Sequence, residues 1–369
     1  MARKRSRDIN IPLDLTVEIL KKLPAKSLAR FRCVSNEWEN MINKFIVIDS
    51  IVTRCLSLTK PTRDIHVISY RGSSTLRFSN YSYSFLSPQI TNEEQLYNEY
   101  IFENSKGYDS YRSFQYVRGL IGFQCLDSGL FKIHNPTTRQ SVTLPVTSFP
   151  PSWSYFFGYD PIKNQYKVVS ISRYQPEQSC LVFTLGDPTK QWRDIHCCIG
   201  RHPPFGEAVC INGTIYYKAK TVLASFNVRS EKFNLIQDLP IDPEDLTLIN
   251  YQEKLGCMCC SDLNKNDVDM LVMENAEKQE WTKITFVAML QDLPSRVDFA
   301  GVTHPGGEIV LVHKTYYSGL ASVVYYYDPK RNSRRRAEIQ TTTSLFTRNP
   351  SVYVRIRAVT DHVENIMRL

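Results

Sequence analysis

One strand–turn–strand unit recurs six times between residues 131 and 339, and it constrains the fold more than any other feature. Each copy has an apolar strand, an Asn or Asp that is often followed by Pro, a basic residue and a second strand. An Asn or Asp side chain bonds its own backbone and Pro fixes φ, so each copy predicts a β-hairpin turn. The copies are FKIHNPTTRQSVTLP, YFFGYDPIKNQYKVV, LVFTLGDPTKQWRDI, LASFNVRSEKFNLI, LVMENAEKQEWTKI and VYYYDPKRNSRRRAEI.

The spacing of the unit indicates the architecture. Asp187, Asn227, Asn275 and Asp328 are separated by 40, 48 and 53 residues. A second marker, a tight turn that leads into a strand, recurs as VRGLIGF, INGTIYY, EKLGCMC and GGEIVLV. A repeat of this length with about four strands is typical of one blade of a β-propeller.

We therefore expect about five blades between residues 116 and 340. A partial blade around DIHVISYRG, within residues 50–80, could be completed by the alternating strand VYVRIRAVT at 352–360, which would close the ring and remove its exposed edges. The expected number is six, with five or seven allowed. Residues 81–110 are polar and tyrosine-rich and suggest a loop or weakly ordered insertion. Residues 361–369 suggest a short terminal helix.

Residues 9–48 have helical periodicity instead. Leu15, Ile19, Leu20 and Leu23 form an apolar face, and Pro12, Pro24 and Ser35 suit the starts of three helices. Three short helices in about 40 residues cannot bury so many large side chains alone, and such small units usually need a metal, disulfides or a partner. With one cysteine and no histidine, this stretch must be covered by the rest of the chain or by another protein.

The segment IPLDLTVEILKKLPAKSLARFRCVSNEWENMI strongly resembles the F-box, the adaptor-binding module of ubiquitin ligases. The pieces P-x-D-L, E-I-L-x-x-L-P, K-S-L, R-x-V-S and W occur in order. Asn36 departs from the Lys usual in plant relatives, which implies one altered polar contact at the rim. The resemblance implies a contact with a Skp-family adaptor, and its supporting core, formed by Pro12, Leu13, Leu15, Ile19, Leu20, Leu23, Pro24, Leu28, Cys33, Val34 and Trp38.

The remainder resembles the plant F-box-associated domain, of a type 3-like kind, through GLIGFQCLDSGLFKIHNPTTRQSVTLP, FGYDPIKNQYKVV, CINGTIYYKA, FNVRSEKFNLI, GVTHPGGEIV and DHVENI. The expected fold is α+β by domain, a three-helix F-box followed by an all-β, kelch-like propeller. The expected units are a basic tail (1–8), the F-box (9–48), a connector with a partial first blade and the loop insertion (49–115), the propeller (116–360) and the terminal helix (361–369).

Charge and composition limit the other classes of partner. The chain is 42% apolar and 22% charged, which is typical of globular proteins. Its net charge of +8 is concentrated in ARKRSR and RNSRRR, which lack the interleaved aromatic residues of single-strand binders, so nucleic acid is not expected as a partner. The sequence has no run of 18 apolar residues, so no membrane span is predicted. The basic start is not followed by the apolar segment of a secretory signal. A nuclear or cytoplasmic location with mostly reduced cysteines is expected.

Neither a metal centre nor an active site is predicted. The clusters CMCC and HCC lack a C-x-x-C pair, so zinc is not favoured at His196, Cys197, Cys198, Cys210, Cys257, Cys259 and Cys260, and the six cysteines are expected to be buried thiols. His134 precedes a turn and suits a strand better than a base. There is no G-x-S-x-G motif and no glycine-rich phosphate loop.

The expectation is a non-catalytic substrate receptor of a Skp–cullin–F-box ligase, without a cofactor. Its helices would bind the adaptor, and through it a cullin-RING ligase, and its propeller would bind an unidentified target protein. A propeller-fold enzyme or a scaffold outside a ligase complex is the alternative.

Overall fold

The computed structural model describes residues 11–43, 45–57, 63–71, 81–86, 98–102, 111–125, 129–146, 153–173, 178–220, 222–237, 239, 241–243, 246–259, 266–293, 297–303, 307–313, 322–339 and 353–369. The α-helices lie in the first two of these segments, and strands make up most of the rest. The predicted basic tail, residues 1–8, lies outside the described residues.

Four helices begin the described chain: α1 (Leu13–Lys22), α2 (Ala25–Phe31), α3 (Asn36–Ile42) and α4 (Phe45–Ser57). Pro12, Pro24 and Ser35 are the N-cap residues of the first three, as predicted. The expectation of three helices ending at residue 48 was wrong, because the apolar segment from Phe45 starts a fourth helix of 13 residues instead of extending the third.

Twenty-four strands follow in the part of the chain that the structure describes. They are β1 (Arg63–Arg71), β2 (Tyr81–Leu86), β3 (Asn98–Phe102), β4 (Tyr111–Val117), β5 (Leu120–Cys125), β6 (Phe131–Asn135), β7 (Gln140–Thr143), β8 (Trp153–Asp160), β9 (Gln165–Ser172), β10 (Cys180–Thr184), β11 (Arg193–Ile195), β12 (Pro204–Ile211), β13 (Thr214–Ala219), β14 (Val222–Asn227), β15 (Lys232–Ile236), β16 (Leu246–Tyr251), β17 (Lys254–Cys259), β18 (Val268–Asn275), β19 (Glu280–Phe286), β20 (Val297–Val302), β21 (Ile309–His313), β22 (Ser322–Asp328), β23 (Ser333–Ile339) and β24 (Tyr353–His362).

The strands from β4 to β23 form five consecutive four-stranded antiparallel sheets, β4–β7, β8–β11, β12–β15, β16–β19 and β20–β23. Their first strands contact one another in series, β4 with β8, β8 with β12, β12 with β16 and β16 with β20. Sheets arranged in this way around their first strands are the blades of a β-propeller. The predicted architecture and the five blades of its middle section are therefore present.

Strands from both ends of the domain meet in a further sheet of order β24-β1-β2-β3. β24 pairs antiparallel with β1, as predicted, and it also contacts β20 of the preceding blade. The prediction of a loop insertion at residues 81–110 was wrong where β2 and β3 lie, because these polar, tyrosine-rich segments pair with each other and extend the sheet from β1. The remainder of this stretch, residues 87–97 and 103–110, lies outside the described residues.

The Asx turns have the predicted chemistry. Asn227 Oδ1 accepts hydrogen bonds from the backbone N–H groups of Arg229 (3.2 Å) and Ser230 (2.8 Å) between β14 and β15. Four residues after the Asx, Glu231 takes a left-handed φ of 56°, which closes a hairpin without a glycine. The same arrangement of Asx oxygen and left-handed residue occurs at Asn135 with Arg139, Asn275 with Gln279, and Asp328 with Asn332.

Apolar clusters fill the spaces between neighbouring blades. One cluster joins Phe131 of β6 to Trp153 and Phe157 of β8, and the next joins Phe156 of β8 to Tyr217 of β13. The rings of Phe156 and Tyr217 stack with centroids 4.5 Å apart. Because each cluster draws on two sheets, the blades support each other rather than folding around separate cores.

The last seven residues, 363–369, are not the predicted helix. They follow β24 without regular secondary structure. Their backbone N–H groups are bonded by the propeller and by a local turn instead of by carbonyls four residues back: Val363 N donates to Tyr116 Oη (2.8 Å) and Asn365 N to Thr137 Oγ1 (3.0 Å). We call residues 363–369 the C-terminal strap, because they lie between the helices and the blades.

Candidate protein-interaction site

The first helix has apolar side chains on two sides, and only one side is covered. Leu20 is fully buried, and Thr16 is buried beside it. Leu13, Leu15 and Ile19 remain 52%, 53% and 47% exposed. Leu15 and Ile19 lie four residues apart and so share one face of α1. The helix therefore presents aliphatic side chains to solvent along one of its faces.

A second exposed apolar segment follows α2. Val34 is 65% exposed and Cys33 is also exposed, in the turn before α3. Ser35 Oγ accepts a hydrogen bond from Trp38 N (3.2 Å) and thereby fixes the start of α3. Trp38 is half-buried and packs on Phe31, with ring centroids 5.3 Å apart. Phe31 was not among the predicted site residues, although it lies three residues from Leu28 in the sequence.

The exposure of large apolar side chains is concentrated in this unit. The described residues include eight exposed large apolar side chains. Five of them lie between residues 11 and 34, and three are scattered over the propeller. We call these five the exposed apolar set; they are Ile11, Leu13, Leu15, Ile19 and Val34. A concentration of exposed apolar side chains indicates a binding surface, whereas scattered ones are normal.

The structure divides the eleven predicted site residues into three groups. Two, Leu20 and Leu28, are fully buried and belong to the supporting core, where a partner cannot touch them. Two more, Leu23 and Trp38, are half-buried against that core. The exposed members are Pro12, Leu13, Leu15, Ile19, Pro24, Cys33 and Val34.

The helical core is completed by α4, which extends beyond the predicted F-box, and by the C-terminal strap. Val47, Ile48 and Ile51 of α4 are buried in it, together with Ile366 of the C-terminal strap. Arg54 of α4 donates from Nη1 to Lys21 O (2.8 Å) and from Nη2 to Leu23 O (2.7 Å), which satisfies carbonyls at the end of α1. The strap thus contributes a core residue to a unit more than 300 positions away in sequence.

Polar contacts join α4 to the propeller. Asp49 Oδ1 accepts from Arg118 Nη2 (3.0 Å) in the β4–β5 turn and from Tyr159 Oη (2.9 Å) at the end of β8. The Arg118 guanidinium lies over the Tyr159 ring, 4.5 Å from its centroid. Burial raises the pKa of Tyr159, so its hydroxyl stays protonated and can donate to the carboxylate.

The strap is bonded to the propeller through one buried amide. Asn365 is fully buried, and its Nδ2 donates to Arg118 O (2.9 Å) and to Tyr166 Oη (2.8 Å). Asn135 returns the contact, since its Nδ2 donates to Asn365 O and to Met367 O, both at 2.8 Å. Near the end of the strap, Arg368 forms an ion pair with Glu39 of α3. Helices, strap and blades are therefore linked by directional contacts.

Within the described residues, no group of three or more His, Cys, Asp or Glu side chains is arranged to hold a metal ion. Cys257 and Cys259 of CMCC are buried, as expected of packing thiols, and burial raises the pKa of Cys257 to about 12. Cys260 lies outside the described residues. Burial was the wrong expectation for Cys198, which is exposed, and for Cys197 and Cys210, which are half-buried. His134 lies on β6, as expected.

None of the described helices is long and apolar enough to cross a membrane.

A helical unit with an exposed apolar set, fixed to a propeller, defines a two-part interaction protein. A family model described as the F-box domain matches residues 9–49, and one described as the F-box associated beta propeller domain matches residues 73–363. The chain belongs to the F-box proteins that carry an F-box-associated β-propeller domain.

Similar proteins from Arabidopsis thaliana agree with this assignment. The putative F-box protein At5g50220 is 43% identical over 99% of this chain and 92% of its own length. The putative F-box protein At1g32420 is 46% identical over 76% of this chain and 91% of its own length. The F-box protein At1g52495 is 36% identical over 98% of this chain and 88% of its own length. A chain of the solved nidogen/laminin complex aligns with 79% of this chain and 98% of its own length at 11% identity and a TM-score of 0.45, which is too low to add to the assignment.

Proposed function

We propose that this protein is the substrate-recognition subunit of a Skp–cullin–F-box ubiquitin ligase, in which the helices bind a Skp-family adaptor and the propeller binds a target protein. The exposed apolar set carries this proposal. Leu13, Leu15, Ile19 and Val34 are held rigidly by a packed core yet stay open to solvent. An apolar helical surface on the adaptor would cover them, in an interface of about 1,600 Å² in total.

The chain itself needs no reacting group in this role. The ligase acts by proximity, because holding a target near a ubiquitin-loaded enzyme raises the effective concentration of the target's lysines. The bonds among Asp49, Arg118 and Asn365 give the helices one orientation on the propeller. A fixed orientation would keep a bound target at a constant position relative to the adaptor.

The position of the helices favours one propeller face for the target. Arg118 in the β4–β5 turn contacts α4, and Asn135 at the β6–β7 turn contacts the strap. Successive antiparallel strands reverse direction, so turns after the first and third strands of a blade lie on one face. We propose that the target binds the opposite face, which is built from the loops after the second and fourth strands.

The blade number also belongs to this proposal. The order β24-β1-β2-β3 places the last strand of the domain beside β20, where each preceding blade has its first strand. We propose that this sheet is a sixth blade that closes the ring with strands from both ends of the domain. Closure of the ring would protect the first and last blades from pairing with other chains through exposed strand edges. A nuclear or cytoplasmic location would suit a ligase subunit and remains part of the same hypothesis.

The test is capture of the full chain by a tagged Skp-family adaptor during co-expression. In the variant Leu15→Asp/Ile19→Asp, two charges replace exposed aliphatic side chains, and we expect affinity to fall by about 100-fold or more, since an interface cannot desolvate them without a partner. The matched control is Ile162→Asp/Val287→Asp, because both side chains are somewhat more exposed than Leu15 and Ile19 but lie on the propeller. The control should bind the adaptor like the wild type.

Equal binding by the wild type and Leu15→Asp/Ile19→Asp would refute the adaptor contact. The target is addressed separately, by comparing ubiquitinated proteins in cells with the proteasome blocked. Proteins enriched by the wild type but not by Leu15→Asp/Ile19→Asp are candidate substrates. If no protein shows that pattern, the ligase role is not supported even where the adaptor binds.

A further inference from the structure

Two thiols meet in the second blade for reasons of local backbone geometry. Cys180 begins β10 and pairs with Ile195 of β11. After β11 the chain turns back at Gly200, whose φ of 73° is in the left-handed region. The turn brings Cys197, two residues beyond Ile195, into the apolar cluster that contains Cys180. The two side chains pack in that one cluster, and neither thiol is in a disulfide.

A buried histidine lies next to the pair. His202 is 3% exposed, and its Nδ1 is 2.8 Å from Gly200 O, while its Nε2 is 2.6 Å from Tyr217 Oη. A carbonyl can only accept, so Nδ1 carries the proton and Nε2 accepts from the tyrosine hydroxyl. The Nδ1–H group is also 3.8 Å from Cys197 Sγ. The imidazole therefore turns a donor toward that sulfur.

These neighbours distinguish the two sulfurs. The Cys180 thiol, as donor, holds the pKa of Cys197 well below its usual range, and His202 acts in the same direction against desolvation. The hydrogen bond to Cys197, together with burial, raises the pKa of Cys180. Cys197 is half-buried, whereas Cys180 is 2% exposed. One sulfur is thus accessible and favours the thiolate, and the other is a sheltered thiol beside it.

We propose that Cys197 and Cys180 form a peroxide-reactive pair that closes to an intramolecular disulfide. The Cys197 thiolate attacks one oxygen of a hydroperoxide, the O–O bond breaks, and the leaving alkoxide or hydroxide takes up a proton. Cys197 becomes a sulfenic acid, oxidised by two electrons. Cys180 sulfur then attacks the sulfenic sulfur, its thiol proton goes to the departing hydroxide, and one water leaves as the S–S bond forms.

The disulfide would change the boundary between two blades. Residues 196–203 connect β11 of one sheet to β12 of the next, and the cluster around Cys180 includes Phe226 and Phe233 of the neighbouring blade. A bond from Cys197 to Cys180 would fix this connection to β10. It follows β11, the fourth strand of its blade, so under the proposed function it would lie on the face assigned to the target. The thiol chemistry itself does not depend on that assignment.

The test uses the full chain, purified through a tag of its own and treated with dilute hydrogen peroxide. After denaturation and alkylation without reduction, we expect the treated wild-type chain to carry two alkyl groups fewer than the untreated chain and peptide mapping to find Cys180 linked to Cys197. Cys197→Ser should abolish the link. Cys180→Ser should stop the reaction at the sulfenic acid, which dimedone would label at Cys197. Cys180→Ala gives a second version of that variant if the serine disturbs the buried site.

Cys198→Ser is the matched control, because Cys198 is adjacent, more exposed and bonded only weakly to Phe233 O at 3.6 Å. It should form the disulfide at the wild-type rate, and Cys197 should react about tenfold or more faster than Cys198 in the wild type. The proposal is overturned if the link involves Cys198, if treated Cys197→Ser also takes up two alkyl groups fewer than its untreated form, or if the wild type keeps both thiols under conditions that oxidise Cys198. A failure of the adaptor-capture experiment would not change these measurements of disulfide and sulfenic acid formation.

Discussion

The helical unit and the propeller treat their apolar and polar side chains in opposite ways. The helical unit leaves Leu13, Leu15, Ile19 and Val34 about half exposed or more, although its core is closed. The propeller buries polar groups as well, among them His134 on β6 and Lys167 on β9. A unit that exposes aliphatic groups is suited to a permanent partner, and one that buries polar groups is complete without one.

The largest expected effect separates the two kinds of leucine in α1. Leu20 is fully buried, so Leu20→Ala should lower the free energy of unfolding of the helical unit by about 2–5 kcal/mol. Leu13 is 52% exposed, so Leu13→Ala should change it by less than about 0.5 kcal/mol while still weakening adaptor capture. Native-state hydrogen exchange of α1 amides in the adaptor-free full chain measures both. Equal destabilisation by Leu20→Ala and Leu13→Ala would show that the exposed apolar set contributes to stability as much as the core does.

A smaller effect tests the polar burial in the propeller. Burial lowers the pKa of His134 to about 4, against 6.5 when unfolded. Between these values the unfolded chain binds a proton that the folded chain does not, so stability should fall as the pH drops from 6.5 toward 4, by up to about 3 kcal/mol from this residue. Below pH 4 both states are protonated and the loss should level off.

The measurement is the difference between the wild type and His134→Gln in urea unfolding at a series of pH values. The variant should show a flatter profile across that window, and subtraction removes the titration of the other buried histidines. Glutamine can retain a hydrogen bond to Ser141, whose Oγ is 2.8 Å from His134 Nδ1. Parallel profiles for the two chains would show that burial at this site does not favour the neutral imidazole.

The sequence predicts those parts of both units that depend on local chemistry. Pro12, Pro24 and Ser35 mark the helix starts because caps act within one turn. The Asx turns are equally local, and they locate the blades. Helix α4 was missed because FIVIDSIVTRC is rich in β-branched residues and its apolar run does not distinguish helix from strand. Strand β3 was missed because NEYIF has no apolar alternation, and β2 was missed although the aromatic residues of YSYSFL alternate with serines.

The candidate site was only half predictable for a different reason. Periodicity identifies Leu15, Ile19 and Leu20 as apolar members of one helix, but it cannot say which side the rest of the chain covers. That depends on α4 and on Ile366, which approaches from the other end of the chain. The strap itself looks like a short helix in sequence, since nothing local reveals that Asn365 is bonded to Arg118 and Tyr166. Contacts of this range are set by tertiary structure.

The smallest expected effect tests whether the two units are coupled through that strap. Asn365→Ala removes the donors to Arg118 O and Tyr166 Oη in a fully buried site, which should cost about 1–3 kcal/mol. The control is Glu364→Ala, one residue earlier and exposed. If the strap joins the units, hydrogen exchange in the full chain should speed up for amides of both α1 and β6 in Asn365→Ala and for neither in the control. Faster exchange in β6 alone would mean that the propeller holds the strap for its own stability, and that the helices keep their position through Asp49 and Arg118.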